Sequence, residues 1–574
     1  MSRSPQQHRV EAAVRCIVRA FEDYNASFSD ITRRAKRRFL SHDRQGMTQD
    51  INERFALYDT AIHDAIGRLE QILIERLFSR AIWVQIRHEY EKATEGVTDA
   101  KLYQTFFNTL SRRLFKTTGV DPAVEFTLDD RPTSAWVDPP TTGHHLSLQD
   151  RAGLESFLMA LAAPWSTATA MADIDYHAVS ERLAEAYPSP DASLAIEMLT
   201  PCFYRAGRAY RVGRVCKAGA HQPIVFAFKS ADGVVSCEAV LTQTREISIL
   251  FGYTFNYFMA DLDAVEPVIE FLSDLLPSKP RAELYTVLGR VKQGKTERYQ
   301  SFFSYLLAHP EEKMVEAEGK KGMVMLVLTL PGYPVVFKLI RDRFAPSKTV
   351  TRTDVLERYH LVFKHDRVGR LIDAQEFREL KLPLSSLSSE LLDTLLTECA
   401  RLVEITDGEV LIHHCYVERR VHPLDLYLAS ADERAAVKAV LDYGQAIKDL
   451  ARSNIFAGDL LPKNFGVTGS GRVIFYDYDE LRLLDECRFR HWPQTDDDVM
   501  SMSAEPWFHV GEDDVFPEQF PLFMGLNKER LNVLRAQHGE LFDADWWQQT
   551  QAHVSQGHEL DVPPFGPQAR ITRA

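Results

Sequence analysis

Cysteine is scarce in this chain, with only 7 among 574 residues, and no two form a Cys-x-x-Cys pair. The sequence therefore predicts neither a disulfide framework nor a paired-cysteine zinc site. Long apolar runs are absent too, since stretches such as Met323 to Leu330 fall far short of the roughly 20 residues that span a bilayer. The first residues show no apolar core with a small-residue cleavage site. We expect a reduced, cytoplasmic protein with no membrane association.

Positive charge is in deficit, because 67 Lys and Arg residues face 81 Asp and Glu residues, a formal net charge of −14. Binding to nucleic acid independently of sequence requires clustered cations that neutralise phosphates. We therefore expect no nucleic-acid partner. Hydrophobic residues make up 45% and charged residues 26% of the chain, an ordinary globular balance, and the length suits about two to four domains.

The first half of the chain is dominated by helical periodicity. Apolar residues recur at helical spacing from Val10 to Phe21, from Ile62 to Leu77 and again from Val268 to Leu307. Between these segments lie three runs that favour strands: Pro223 to Lys229, Val234 to Thr242 and Glu246 to Phe255. The pattern predicts a mainly helical region with a small β-rich insert, and it contains no recognisable chemistry of its own.

Beyond residue 310 the pattern changes to a predicted β-hairpin, Met323–Leu330 and Val335–Ile340, joined by a Pro-Gly-Tyr-Pro turn. A short segment with two glycines and lysines, Ala317–Met323, precedes the hairpin, and Lys338 lies within its second strand. Glycines allow a backbone to approach a polyphosphate closely, and amides with lysine charge then bind the anion. Taken alone, the loop also fits an ordinary turn and Lys338 an edge lysine.

A stronger pattern follows at Asp459, Asn464 and Asp477. The spacing Asp-x-x-x-x-Asn, a short hairpin and an Asp at the end of an apolar strand are typical of protein-kinase-like enzymes. One carboxylate must meet the attacking hydroxyl, while an amide oxygen and a second carboxylate hold Mg²⁺ between the phosphates. The sequence therefore predicts phosphoryl transfer with ATP and Mg²⁺.

Two motifs depart from ordinary kinases. Ala457-Gly458-Asp459 stands where many kinases have His-Arg-Asp, and Asp477-Tyr478-Asp479 stands where they have Asp-Phe-Gly. These departures disfavour an ordinary eukaryotic-type kinase.

These departures and their surroundings resemble the isocitrate dehydrogenase kinase/phosphatase family over nearly the whole chain. The resemblance rests on these blocks: Glu283-Leu284-Tyr285, Lys295-Thr296-Glu297, Gly322–Val327, Phe337–Ile340, Phe344-Ala345-Pro346, Lys364–Arg370, Glu418-Arg419-Arg420, Asn464–Val467, Phe475–Glu480 and Ser503–Trp507. It implies a bifunctional serine kinase/phosphatase that inactivates and reactivates NADP-dependent isocitrate dehydrogenase. Such an enzyme switches carbon between the citric acid cycle and the glyoxylate bypass, and it responds to AMP as an allosteric effector.

The resemblance also implies site residues. ATP contacts are expected at Ala317, Glu318, Gly319, Lys320, Lys321, Gly322, Met323, Lys338, Tyr416, Val417 and Glu418, with the last three in a hinge. The expected catalytic residues are Asp373, Asp459, Asp477 and Asp479, and the Mg²⁺ ligands are Asn464 and Asp477. For the water that attacks phosphoserine, Asp479 and Asp373 are rival positioning groups. The glutamate that pairs with Lys338 stays open among Glu357, Glu376 and Glu379.

The implied fold class is α+β, a protein-kinase-like bilobal catalytic domain preceded by a mainly helical regulatory domain with a small β-rich insert. We place the regulatory domain at residues 1–310 and the catalytic domain at 311–574. Within the latter, the N-lobe covers about 311–412, the hinge about 413–420 and the C-lobe about 421–574.

Two other functions compete with this interpretation. One is a catalytically weak pseudokinase scaffold that holds isocitrate dehydrogenase or another partner, and the other is a small-molecule phosphotransferase of kinase-like fold. The set of Lys338, Asp459, Asn464 and Asp477 disfavours a scaffold, and the large helical region favours a protein substrate. The sequence leaves self-association open.

Overall fold

The computed structural model describes residues 4–130, 134–165, 175–188, 193–217, 220–231, 234–252, 257–319, 321–345, 350–365, 369–493, 508–556 and 563–571. The chain divides into two compact units. Unit 1 comprises residues 1–252, 256–308 and 565–574, and unit 2 comprises residues 253–255 and 309–564. Among the described residues, no helix combines the length and apolarity needed to cross a membrane.

Unit 1 begins with two long helices, α1 (Pro5–Leu40) and α2 (Arg44–Leu73). The start of α1 is set by Ser4, whose hydroxyl accepts a hydrogen bond from the backbone N–H of Gln7 while the Gln7 side chain accepts one from the Ser4 N–H. The predicted apolar stripe of α1 is buried, and Ile62, Leu69 and Leu73 of α2 are fully buried as well. The helical periodicity of this region is thereby confirmed.

The described part of unit 1 contains eight further helices. They are α3 (Arg80–Thr94), α4 (Ala100–Phe115), α5 (Arg151–Ala162), α6 (Tyr176–Ala186), α7 (Thr244–Leu250), α8 (Glu266–Leu275), α9 (Arg281–Val287) and α10 (Val291–Ala308).

One antiparallel sheet of six strands forms the β-rich insert of unit 1. Its strands are β1 (Thr141–Ser147), β2 (Ser193–Leu199), β3 (Phe203–Arg205), β4 (Arg208–Lys217), β5 (Ala220–Ala231) and β6 (Val234–Leu241). Their order is β1-β2-β4-β5-β6, and β3 also pairs with β4. The two strands predicted between residues 223 and 242 are confirmed as β5 and β6.

The strand predicted from Glu246 to Phe255 was wrong. Residues 244–250 form the short helix α7, in which Ile247 and Leu250 are buried one turn apart, and residues 253–256 lie outside the described part of the chain. Burial of this helical pair against the core outweighs the local β propensity of the run.

Unit 2 opens with a second six-stranded sheet. Its strands are β7 (Val315–Glu316), β8 (Met325–Thr329), β9 (Val335–Ile340), β10 (Ala374–Pro383), β11 (Val403–Thr406) and β12 (Glu409–Arg419). The order is β10-β12-β9-β8-β7, with β11 paired to β12. The predicted hairpin is therefore present as β8 and β9, in an antiparallel register that sets Val327 opposite Lys338.

The remainder of unit 2 is mainly helical, with short strands. The helices are α11 (Arg352–His365), α12 (Ser389–Glu398), α13 (Leu424–Ser430), α14 (Glu433–Arg452), α15 (Phe520–Phe523), α16 (Lys528–His538) and α17 (Ala544–Ser555). The strands are β13 (His422–Pro423), β14 (Ile455–Phe456), β15 (Phe465–Val467), β16 (Val473–Phe475), β17 (Arg482–Leu483), β18 (Arg488–Phe489) and β19 (Asp514–Val515). Helix α14 lies in the core of this part and supports the loops around the candidate site.

Candidate active site

A cavity of about 580 Å³ in unit 2 gathers most of the residues predicted to act in phosphoryl transfer. Those that line it are Ala317, Glu318, Gly319, Lys321, Gly322, Met323, Lys338, Glu418, Asp459, Asn464, Asp477 and Asp479. The structure does not bring Asp373, Tyr416 or Val417 to the lining, and Lys320 lies outside the described residues.

Lys338 reaches the cavity from the middle of the sheet. Its Nζ lies 2.8 Å from Oε2 of Glu418 and donates a second hydrogen bond of 2.8 Å to the backbone oxygen of Tyr476. Both side chains of the pair are almost fully buried, with 7% of Lys338 and 1% of Glu418 exposed. This geometry holds the ammonium group toward the cavity with little freedom to move.

The partner of Lys338 is therefore Glu418, and none of the three glutamates considered from the sequence. Glu357 is exposed on α11, while Glu376 and Glu379 pair with His414 and His413. Glu418 qualifies because β12 runs antiparallel to β9 and sets it two residues from the position opposite Lys338, on the same face. That register is the signal which the sequence alone did not reveal.

The second oxygen of Glu418 is buried and has no hydrogen-bond partner among the described residues. Burial raises the pKa of this carboxyl above its ordinary value, Lys338 opposes the shift, and the charges of Asp373 and Asp477 reinforce it. A buried acceptor among several carboxylates is satisfied by a bound donor or cation. The cavity therefore fits a ligand that brings positive charge or hydrogen-bond donors.

The loop that carries Asp459 is shaped by the glycine before it. Gly458 has a φ of 74°, and a Cβ at this position would lie 2.3 Å from the backbone oxygen of Glu480. Asp459 Oδ1 accepts a hydrogen bond of 2.9 Å from the Leu461 N–H, which orients the carboxylate. The Asn464 side chain donates to the Asp459 backbone oxygen at 3.2 Å, so the two predicted site residues are fixed to each other.

Asn464 and Asp477 are brought together by a hairpin. Strand β15 pairs with β16, and the Tyr476 N–H donates a hydrogen bond of 3.1 Å to the Asn464 backbone oxygen. Both side chains, together with Asp479, line the same cavity. An amide oxygen and carboxylate oxygens are the donors that Mg²⁺ prefers, so the residues present fit this cation.

The glycine-containing loop covers residues 317–323 between β7 and β8. Gly319 has a φ of 122°, a conformation that other residues rarely adopt, and the Ala317 N–H donates a hydrogen bond of 2.8 Å to the Val327 backbone oxygen. Lys321 forms an exposed ion pair of 2.8 Å with Glu316. Gly319, Lys321 and Gly322 line the cavity, and the approach of this backbone to a polyphosphate stays a prediction.

The segment predicted to be the hinge is mostly strand. Residues 413–419 belong to β12, which is paired with β10 on one side and, at residues 416–419, with β9 on the other. The backbone groups of Tyr416 and Val417 lie in this paired strand, and these residues do not reach the cavity. The cavity lining instead continues from Glu418 through Pro423, in the connection that leads to the helical part of unit 2.

Asp373 lies beside the cavity lining. Its neighbour Ile372 lines the cavity, and the Gln375 side chain donates a hydrogen bond of 3.1 Å to Asp373 Oδ2. Its carboxylate is close enough to Glu418 to raise the pKa of that residue.

Two models of one protein family match most of the chain. Residues 312–567 match the model of the isocitrate dehydrogenase kinase/phosphatase (AceK) kinase domain, and residues 14–310 match that of the regulatory domain of the same family. This chain belongs to the isocitrate dehydrogenase kinase/phosphatase family. The predicted α+β class is thus confirmed, with a kinase-like domain preceded by a mainly helical regulatory domain.

Relatives within the isocitrate dehydrogenase kinase/phosphatase family are similar over their full length. The isocitrate dehydrogenase kinase/phosphatase of Xanthomonas euvesicatoria pv. vesicatoria (strain 85-10) is 46% identical over 99% of both chains. That of Anaeromyxobacter dehalogenans (strain 2CP-C) is 40% identical over 98% of both chains. A solved ROP18 kinase domain in complex with AMP-PNP and sucrose shares 11% identity and a TM-score of 0.20 over 45% of this chain and 90% of that chain, a likeness too low to support an inference.

Proposed function

We propose that this chain is a bifunctional enzyme that phosphorylates and dephosphorylates isocitrate dehydrogenase at one nucleotide and Mg²⁺ site. The observation that carries the proposal is the meeting of Lys338, Asp459, Asn464 and Asp477 at one cavity in a chain of this family. We further propose that the phosphorylated residue is a serine of the NADP-dependent isocitrate dehydrogenase and that the reaction takes place in the cytoplasm. Phosphorylation inactivates the dehydrogenase, which directs carbon from the citric acid cycle into the glyoxylate bypass.

In the kinase direction the residues of the cavity position groups and balance charge. Lys338, held by Glu418, neutralises phosphate oxygens, and residues 318–319 and 321–323, which line the same cavity, offer backbone N–H groups to them. Asn464 and Asp477 would hold Mg²⁺, which supplies charge stabilisation as phosphoryl transfer proceeds. Asp459 accepts a hydrogen bond from the serine hydroxyl and orients it for in-line attack.

In the phosphatase direction a water molecule replaces the serine hydroxyl as the attacking group. We assign its orientation to Asp479, an acidic group where ordinary kinases have glycine, with Asp373 as the rival. Asp479 is 7% exposed and lines the cavity with Asp477. Asp479→Ala should lower the dephosphorylation rate by roughly a hundredfold while phosphorylation falls much less. An equal loss of both rates would contradict the assignment.

We also propose AMP as an allosteric effector, and a cavity of about 200 Å³ in unit 1 supports this role. Arg54 and Arg290 line it beside the aromatic rings of Tyr24 and Tyr58. Burial, together with the nearby charge of Arg290, lowers the pKa of Arg54 to about 9, and Nη1 of Arg290 has no hydrogen-bond partner among the described residues. Two buried cations beside aromatic rings suit a nucleotide, because the cations can bind its phosphate and the rings can stack on its base.

The decisive experiment uses purified protein, Mg-ATP and an NADP-dependent isocitrate dehydrogenase, and it follows dehydrogenase activity and incorporated phosphate together. ATP is then removed and ADP with AMP is added. Loss of activity, followed by recovery with release of phosphate, supports both reactions. Phosphorylation without recovery supports a dedicated kinase. ATP binding without any transfer to the dehydrogenase supports a scaffold, or a small-molecule phosphotransferase if ATP is consumed with a metabolite.

A further inference from the structure

The hydroxyl of Tyr478 binds both backbone polar groups of a single residue, Ile372. It accepts a hydrogen bond of 2.8 Å from the Ile372 N–H and donates one of 2.9 Å to the Ile372 backbone oxygen. Tyr478 is 1% exposed and Ile372 is 5% exposed, so water does not compete for these groups. The phenol thus satisfies the N–H and C=O of Ile372 as a neighbouring β-strand would, but at this one residue.

The two segments joined by this hydroxyl run side by side. Leu371 and Phe475 form a parallel β-bridge, and the Phe475 N–H donates a hydrogen bond of 2.7 Å to the Arg370 backbone oxygen. Arg370 is itself fixed by ion pairs of 2.9 Å to Asp442 and 2.8 Å to Asp449. The pairing of the two segments therefore begins at Arg370, which its ion pairs hold in place. It ends at Ile372, where the Tyr478 hydroxyl makes the last hydrogen bonds between the segments.

Each end of this contact is next to a predicted catalytic carboxylate. Asp373 follows Ile372 directly, and Asp477 and Asp479 flank Tyr478. The contact between Ile372 and Tyr478 is thus the short path through which Asp373 is placed relative to the two other aspartates.

The position of Asp477 does not depend on this hydroxyl. On its other side, Tyr476 donates its N–H to the Asn464 backbone oxygen at 3.1 Å and accepts a hydrogen bond of 2.8 Å from Lys338. Removing the Tyr478 hydroxyl should therefore free the 372–373 segment and leave the Mg²⁺ ligands in place. The phenylalanine of the Asp-Phe-Gly motif in ordinary kinases lacks this hydroxyl, and here it would leave a buried N–H and C=O unpaired.

We propose that Tyr478 is a positioning residue that fixes the Asp373 carboxylate relative to Asp477 and Asp479, and that dephosphorylation depends on this spacing. The inference rests on the proposed bifunctional activity and deepens it. It gives Asp373, named above as the rival of Asp479, a part in the phosphatase reaction that depends on its position, which the Tyr478 hydroxyl fixes from one side and the Gln375 side chain from the other.

The first test is Tyr478→Phe in the full-length protein, assayed in both directions against isocitrate dehydrogenase. We expect the phosphatase kcat to fall at least about tenfold, because both hydrogen bonds between the hydroxyl and Ile372 are lost, with kinase kcat and the KM for ATP nearly unchanged. The matched control is Tyr187→Phe in unit 1, which also loses a buried hydroxyl, one that donates to the Pro223 backbone oxygen at 2.7 Å. The control should keep the wild-type ratio of the two rates. An equal fall of both rates in Tyr478→Phe overturns the proposal.

The second test asks whether Tyr478 acts through Asp373. If it does, Tyr478→Phe should add little to the phosphatase loss already caused by Asp373→Asn. A full additional tenfold loss in the double variant would overturn the proposal, because a purely structural role gives independent effects.

The third test needs no activity. In hydrogen-exchange mass spectrometry of the ligand-free protein, peptides that cover residues 370–374 should exchange faster in Tyr478→Phe than in wild type, and unchanged exchange would overturn the positioning claim. If wild type itself shows no phosphatase activity, the proposed function is wrong, and the inference that rests on it is wrong as well. Wild type active in both directions, with Tyr478→Phe retaining its ratio of rates, overturns the inference alone.

Discussion

The buried pair of Lys338 and Glu418 gives the sharpest prediction for stability. At 2.8 Å and an effective dielectric constant of about 20, the attraction between the two charges is about 6 kcal/mol. Desolvation of both groups offsets most of this gain, as the raised pKa of Glu418 indicates. The pair should therefore add little net stability compared with two apolar side chains. Removal of one partner should be costly, because it leaves the other charge buried.

We expect Glu418→Gln and Lys338→Met each to lower the free energy of unfolding by about 3–5 kcal/mol. The double variant Lys338→Met with Glu418→Leu should recover most of that loss and yet have no kinase activity. Urea denaturation measures these values, once the transition of unit 2 has been identified as the one that Mg-ATP shifts in wild type.

The matched control is Glu409→Gln, which breaks the Lys381–Glu409 ion pair of 2.9 Å in the same sheet. Its side chains are 38% and 49% exposed, so the loss should stay below about 1 kcal/mol. A loss for Glu418→Gln no larger than for Glu409→Gln would refute the reasoning. So would a double variant in which the two single losses add up.

Three further predictions concern the catalytic loop and one half-buried carboxylate. Asp459→Asn should lower kinase kcat by roughly 10²–10⁴-fold with the affinity for ATP unchanged, and an equal change in ATP affinity would contradict its role toward the hydroxyl. Gly458→Ala should abolish both activities, while Gly469→Ala, where a Cβ meets nothing within 4 Å, should retain them in the same assay. The hydrogen bond from His414, followed in size by the interaction with Arg378, lowers the pKa of Glu376 to about 2 from an ordinary 4.5. The stability that the ionised Glu376 contributes to the fold is therefore complete above pH 4.5 and is lost as the pH falls toward 2. The stability difference between wild type and Glu376→Gln, from urea titrations, should shrink over that interval, and a constant difference would contradict the assignment.

The sequence predicted those parts of the molecule whose structure is set locally. The strand Val335–Ile340 has the predicted bounds, and the loop, hairpin and strand end that carry Asp459, Asn464 and Asp477 meet at one cavity. Each of these features depends on turn chemistry and apolar alternation over a few residues, which a single sequence displays.

The remainder depends on how distant segments pair. The partner of Lys338 was missed because β9 and β12 lie about 80 residues apart along the chain, and their register decides which side chains share a face. The same pairing places Tyr416 and Val417 inside the sheet, away from the cavity. At residues 244–250, burial of a helical pair against the core outweighed the β propensity from which the sequence predicted a strand.

The division of unit 1 along the chain has a consequence for its synthesis. Residues 565–571 pack on β6, where the Ile571 N–H donates a hydrogen bond of 2.9 Å to the Glu238 backbone oxygen and Phe565 is buried in the unit 1 core. Unit 2 is translated between these residues and the others of unit 1, which takes roughly tens of seconds at about 5–20 residues per second. A nascent chain therefore exposes the β6 edge throughout that interval. Unit 1 acquires its last contacts only after the whole of unit 2 has left the ribosome.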